Sequence, residues 1–296
     1  MKNKILLIGA FLSLACSATI QAQKSENPYI LQTFKDTRAV NTQSVETLPA
    51  WKLDVRIAHR FGDMFGDAGG WKSFYGLESA SDVVIGAEFG WTDNFMFGLF
   101  RSKGSAANGL RQNLNTTVKY RILRQKKDDS VPISMSISGV GTASTQAKST
   151  DPSAISSFPK FSHRFAYTAQ LIVARKFSDR FSFQINPSFT HRNLVLNEDE
   201  NDIISIGAAA RYQVTKVMGI LLDANYPFSS FRSDSGNGYY PAVGIGFEWD
   251  TGGHVFQLDF TNATGIVETD YIPYTQSNWA KGQFRMGFTI RRLFNL

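Results

Sequence analysis

Alternation with a period of two, sustained over long segments, constrains this chain more than any other feature of its sequence. Trp51, Leu53, Val55 and Ile57 alternate with Lys52, Asp54 and Arg56. Leu114, Thr116, Val118, Tyr120 and Ile122 alternate with Asn113, Asn115, Lys119 and Arg121. Phe181, Phe183 and Ile185 alternate with Ser182, Gln184 and Asn186, and Phe284, Met286, Phe288 and Ile290 with Arg285, Thr289 and Arg291. Successive side chains of a strand point to opposite faces, so each segment reads as a strand with one apolar and one polar face. No segment reads as a helix.

Twelve such segments follow one another. They are Trp51–Phe61, Asp82–Trp91, Phe95–Ser102, Asn113–Ile122, Pro132–Ala143, Phe161–Phe177, Arg180–Arg192, Ile203–Gln213, Val217–Tyr226, Tyr239–Asp250, His254–Asn262 and Gln283–Phe294. Most are longer than the roughly 5–6 residues usual in soluble sheets. They match the roughly 9–11 needed to cross a bilayer at a tilt. The connections alternate long and short, and Thr92-Asp93-Asn94 and Asp250-Thr251-Gly252-Gly253 supply tight-turn chemistry. Aromatics gather at strand ends: Trp51, Trp91, Phe95, Phe177, Phe181, Trp249 and Phe294 at one rim, Phe61, Phe161 and Tyr239 at the other. A soluble β-sandwich would explain the alternation but not the strand lengths, the rhythm and the rims together. The expected fold is all-β: a transmembrane antiparallel up-and-down β-barrel of about 12 strands, with short periplasmic turns, long extracellular loops and both termini in the periplasm.

Three stretches are expected. Residues 1–23 have a signal peptide's form: Lys2 and Lys4, an apolar Ile5–Ala18, and Ala22 as the cleavage position. Residues 24–50 are a polar leader, either a partial plug of the periplasmic mouth or a flexible lead-in. Residues 51–296 are the barrel, placed in the outer membrane. The single cysteine, Cys16, lies in the signal, so a cut near residues 22–23 leaves a mature chain without thiols or disulfides. Composition agrees: 24 Phe, 10 Tyr and 24 Gly with only 19% charged residues fits neither disorder nor a helical protein. A mean hydropathy of −0.19 excludes a bundle of membrane helices. The formal charge of +6 falls to +4 once Lys2 and Lys4 are removed, and no Lys/Arg cluster marks a nucleic-acid binder.

Strand parity sorts the charges into the lumen. Candidate lumen-lining residues are Arg56, Arg60, Glu88, Lys119, Arg121, Arg164, Arg211, Asp223, Glu248, Asp259, Arg285 and Arg291, with Lys52, Asp54 and Asp82 beside them. Nine cations against six carboxylates make a mildly positive interior. Two readings stand side by side: an anion-leaning pore, and a plugged interior that satisfies its own charges.

Other chemistry is weaker. His59, His163, His191 and His254 have outward parity near the interfaces. A turn at Ser178-Asp179 sets His191 opposite Tyr167 and leaves His163 roughly 13 Å away along the strand. Rim packing and head-group contact are therefore expected rather than a metal site. Ser162 and Ser188 have the opposite parity from these histidines, so no Ser–His nucleophile is expected and no catalytic residue is assigned. Gly139-Val140-Gly141 lies within a strand and is read as close packing or a bend rather than a phosphate loop. The acidic run Asn197–Asp202 lacks calcium-loop spacing and is read as a solvated surface loop. No cofactor and no metal are expected.

Ile57-Ala58-His59-Arg60-Phe61-Gly62, Phe74-Tyr75-Gly76-Leu77 and Val118-Lys119-Tyr120-Arg121-Ile122-Leu123-Arg124-Gln125 resemble an uncharacterised family of Bacteroidota outer-membrane β-barrel proteins, known only as a domain of unknown function. Phe34–Pro49, His191-Arg192-Asn193-Leu194-Val195 and Gly252–Leu258 carry the same likeness. It covers essentially the whole mature chain, implies an outer-membrane barrel and supplies no activity. The expected role is a passive pore or facilitator for small, anion-leaning solutes. The alternative is a plugged barrel that serves a periplasmic protein as interaction or anchoring partner, and an outer-membrane enzyme ranks last. Expected partners are outer-membrane lipid, the barrel-assembly machinery and such a periplasmic protein, not nucleic acid.

Overall fold

The computed structural model describes residues 27–104, 109–196 and 198–296. The signal segment, Cys16 and the start of the leader lie outside the described residues. Twelve strands follow in order: β1 (Lys52–Phe61), β2 (Ala80–Thr92), β3 (Phe95–Lys103), β4 (Gln112–Leu123), β5 (Ser134–Ser144), β6 (Phe165–Lys176), β7 (Phe181–Arg192), β8 (Asp202–Gln213), β9 (Met218–Phe228), β10 (Ala242–Asp250), β11 (His254–Thr261) and β12 (Arg285–Asn295). Each pairs antiparallel with its chain neighbours, and β1 pairs with β12, closing the barrel. Closure removes the sheet edges that lipid could not satisfy.

Turn chemistry fixes the register at one end. Thr92 Oγ1 accepts the Asn94 and Phe95 N–H groups, Ser178 Oγ accepts those of Arg180 and Phe181, and Asp250 Oδ1 accepts that of Gly252. Gly252 takes the left-handed conformation (φ 84°) that this turn requires. His191 pairs with Tyr167, as the turn at Ser178-Asp179 dictates. The apolar sets face out: Ile57, Ile85, Leu99, Phe189, Ile204 and Leu222 are exposed on the wall, while Arg56, Ser188, Thr190, Ser205 and Asp223 beside them are buried inside. At the short-turn rim Trp51 packs on Phe89 and Trp91.

Sequence and structure differ in three places. Phe161–Arg164 is a 3-10 turn rather than the start of β6. The His163 Nδ1 accepts the Lys160 N–H, and Arg164 donates to the Ser144 and Gln146 carbonyls, bending the chain off the wall. Tyr239–Pro241 is likewise not strand; Tyr240 N donates to Thr275 O instead. Two short helices exist where none was expected, α1 (Ser230–Ser233) and α2 (Glu268–Tyr274). At one and two turns, with Pro273 inside α2, neither builds a helical period that sequence could reveal.

Candidate functional site: a filled lumen

The polar face of the barrel is not a water-filled surface. Of the twelve charged candidates, all but Arg164 are buried, Glu88 to 1% exposure. Arg164 sits on the 3-10 turn above β6 with its guanidinium over the Phe158 ring, at the mouth rather than on the strand wall. The filling comes from both ends of the chain.

The leader enters at the short-turn end. Ile30 N bonds to Gln125 O, Arg124 reaches the Ile30 and Leu31 carbonyls, and Lys176 Nζ reaches Gln32 O. Thr37–Ser44 then forms a small hairpin inside the barrel, closed by Ala39 N to Thr42 O and Ser44 N to Thr37 O, both 2.8 Å. A peptide in a buried site must satisfy every backbone group, and the wall side chains do this. Lys119 Nζ donates to the carbonyls of Thr37 (2.9 Å), Ser44 (2.9 Å) and Glu46 (3.1 Å). Gln184 donates to Gln43 O (2.7 Å) and accepts from Val45 N (3.2 Å); Asn186 also donates to Gln43 O (2.9 Å). At the tip, Asp223 accepts from the Asn41 amide group (2.7 Å), the Asn41 N–H and the Thr42 N–H, while Arg60 donates to Asn41 Oδ1. Gly244 on β10 leaves room for the tip: a Cβ there would stand 2.6 Å from Val40.

Charges pair in the same way. Arg56 binds Asp36 of the leader and lies beside Asp54 and Glu88. Arg291 reaches Asp54 and Asp36, Arg211 reaches Glu248 and Arg121 reaches Glu46 of the leader. Burial pushes the Asp36 carboxyl up, but the Arg56 and Arg291 guanidiniums outweigh it and hold it at about 2. The wall's surplus of positive charge is thus met by carboxylates that the chain itself inserts.

The long β11–β12 connection folds in from the other end. Asp82 accepts the Ile266 N–H, Arg60 donates to Gly265 O and Arg285 to Asn262 O. Thr269 meets Thr142 at 2.6 Å, and α2 brings Glu268 to within 2.8 Å of Arg38. Between leader, wall and loop a cavity of about 20 Å³ is lined by Arg56, Val84, Phe100 and Ile266.

Sequence reasoning missed a clamp at the long-loop mouth. Asp199, read as part of a solvated acidic loop, is buried between two forks. Arg192 donates to both its oxygens (2.9 and 3.1 Å), and so does Arg232 (2.8 and 3.0 Å). The other candidates lie apart. His59 stacks on Phe288, His254 on Phe256, and His191 binds Asp202 at 2.6 Å. Ser188 shares a hydrogen bond with Ser205. Among the described residues no three His, Cys, Asp or Glu side chains are grouped to hold a metal. Gly139 and Gly141 pack against Val118 and Thr116.

Comparison with known proteins adds the following. A family model described as "Membrane bound beta barrel domain (DUF5777)" matches residues 34–294. No curated protein matches the chain. Among solved structures, a KdgM porin in complex with disordered oligogalacturonate aligns at 8% identity and a TM-score of 0.47, over 82% of this chain and 99% of that one. The COG4313 outer membrane channel from Pseudomonas putida F1 aligns at 12% identity and 0.45, over 86% and 100%. Salmonella typhi OmpF, solved with daunomycin, aligns at 9% and 0.37, over 82% and 96%.

Proposed function

We propose, from the premise that the chain belongs to the membrane bound beta barrel (DUF5777) family, that it is an outer-membrane conduit for small solutes with its own leader as the gate. One observation carries this reading: the leader is held by polar side chains of a wall that is complete without it. All twelve strands pair only with one another, and the leader contributes no strand to the sheet. Its polar anchors on Lys119, Gln184, Asn186 and Asp223 are hydrogen bonds, whose groups water can solvate once the leader leaves. Withdrawal would uncover these polar groups. It would also part Phe34, Ala39 and Val40 from Ala209 and Leu221, and Val45 from Ile172 and Ala174, so the gate is held by apolar as well as polar contacts. The uncovered wall would carry Arg56, Arg60, Lys119, Arg121, Arg211, Arg285 and Arg291 against Asp54, Asp82, Glu88, Asp223, Glu248 and Asp259. The excess of cations favours small anions.

Single-channel conductance in a planar bilayer tests the reading, with the full chain and with a chain lacking residues 24–49. Silence or brief openings from the first and steady, anion-preferring current from the second would support a leader gate. Silence from both would overturn it. The second reading would then stand: a permanently filled barrel that anchors a periplasmic protein. It is favoured by α2, which fills the other end of the barrel and is tied to the leader through Arg38 and Glu268.

A further inference from the structure

The β1–β2 loop carries an aromatic surface that neither the wall nor the plug uses. Six rings form one chain of contacts: Trp279 stacks on Phe284 (4.4 Å between centroids), Phe284 touches Phe65 (5.6 Å), and Phe65 touches Tyr75 (5.4 Å). Tyr75 then meets Trp71 (6.3 Å), and Trp71 meets Phe74 (5.7 Å). The far end is bare: Trp71 is 73% exposed, and Phe65 and Phe74 about half.

The loop is built to hold these rings out. Phe74 and Tyr75 both have left-handed backbones, φ 45° and 56°. Aromatic residues pay strain there that glycine or asparagine would avoid. A dense backbone network enforces it: Tyr75 N to Gly70 O, Gly76 N to Ser73 O, Gly62 N to Gly76 O, and Met64 N to Phe284 O. A strained, rigid turn that exposes two aromatics in succession is preorganised for a contact.

Position decides which contact. Met286, Phe288 and Ile290 form the outward, half-buried column of β12, and Phe284 immediately precedes that strand. Ten residue steps separate Phe294, at the short-turn rim, from Phe284. At roughly 3.3 Å per residue and a tilt of about 40°, that is ~25 Å of height. A barrel's apolar band is ~25 Å tall. The aromatic chain therefore starts at the far interface and continues the bilayer-facing surface without a break. We infer that the β1–β2 loop is an interfacial anchor whose partner is the head-group layer of the adjoining leaflet, with Trp71, Phe74 and Tyr75 lying in it. Rings with one apolar and one wet side suit that depth.

The test uses the full chain with Trp51, Trp91, Trp249 and Trp279 changed to Phe, so that Trp71 alone reports. It is reconstituted in phosphatidylcholine vesicles brominated near the head group or near the chain end. Heat-modifiable gel mobility confirms that the barrel is folded. Strong quenching by the head-group-proximal bromines, weak quenching by the distal ones, and protection from aqueous iodide are expected. A second variant, with Phe74→Gly and Tyr75→Gly, relieves the strain and should lose at least half of the bromine quenching. Quenching of Trp71 by iodide and not by either lipid would overturn the inference and leave the surface to a soluble partner. Unchanged bromine quenching in the double-glycine variant would overturn the role given to the strained turn.

Discussion

Arg38 of the leader and Glu268 of α2 meet at 2.8 Å inside the barrel, although their segments enter it from opposite ends. The pair joins the two halves of the filling into one body. Both side chains are buried, so each alone would be an uncompensated charge. Losing one partner of a buried pair costs about 3–5 kcal/mol, whereas an apolar replacement of both is close to neutral.

Arg38→Met and Glu268→Leu should therefore each loosen the leader, and the double variant should recover much of the loss. Limited proteolysis of the leader in detergent measures this: both single variants are cut faster than the parent, the double variant more slowly than either. Additive acceleration in the double variant would mean that the two segments are held independently.

The Asp199 clamp gives a pH dependence of known sign. Burial raises the Asp199 carboxyl, but the hydrogen bonds and charges of Arg192 and Arg232 outweigh it and leave it below the ordinary range. A group with a lowered folded-state pKa stabilises fully above its ordinary value, ~3.9 for Asp, and loses that stabilisation as pH falls through the lowered one. A nitroxide on Glu198→Cys should stay immobile from neutral pH into mild acid and become mobile only well below ~3.9. Asp199→Asn should make it mobile at neutral pH, since two buried guanidiniums then lack their anion.

The barrel was legible because its wall repeats one rule. Every strand has the same period, so all twelve were found, and even the His191–Tyr167 pairing followed from the turn at Ser178-Asp179. The filling repeats nothing. The leader bonds through backbone groups, to which Lys119 reaches from β4 and Gln184 and Asn186 from β7. No pattern along the chain says that a lumen lysine will cap three carbonyls. The wall charges were identified by parity, but their partners Asp36 and Glu46 sit on a segment without period, as do both members of the Arg38–Glu268 pair. For the same reason Asp199 looked solvated: its two arginines are 7 and 33 positions away.

Leu222 and Asp223 are chain neighbours on opposite faces of β9, and their replacement should separate wall from gate. Leu222 faces lipid, so Leu222→Arg costs about 2–4 kcal/mol if it lies near the bilayer midplane and lowers the unfolding temperature in vesicles without freeing the leader. Asp223 accepts three hydrogen bonds from Asn41 and Thr42. Asp223→Ala should free the hairpin tip for proteolysis while the barrel's heat-modifiable mobility persists. A destabilised barrel with a protected leader in the second variant would show that the filling supports the wall rather than closing it.

Lys119 provides the most direct test of the gate because one cation ties three points of the leader. Lys119→Met keeps the aliphatic stem and removes all three donors. Hydrogen bonds from a charged group contribute about 1.5–3 kcal/mol each, so the leader loses a large part of its hold. Lys119→Arg is a poor rescue, since a planar fork cannot converge on three carbonyls as an ammonium does. In planar bilayers the Lys119→Met protein should open far more often than the parent while its leader is still attached. With one lumen cation fewer, its current should prefer anions less than that of the chain lacking residues 24–49. A Lys119→Met protein as silent as the parent, beside a truncated chain that conducts, would place the leader's hold elsewhere, with Asp223 and Gln184 the next to change.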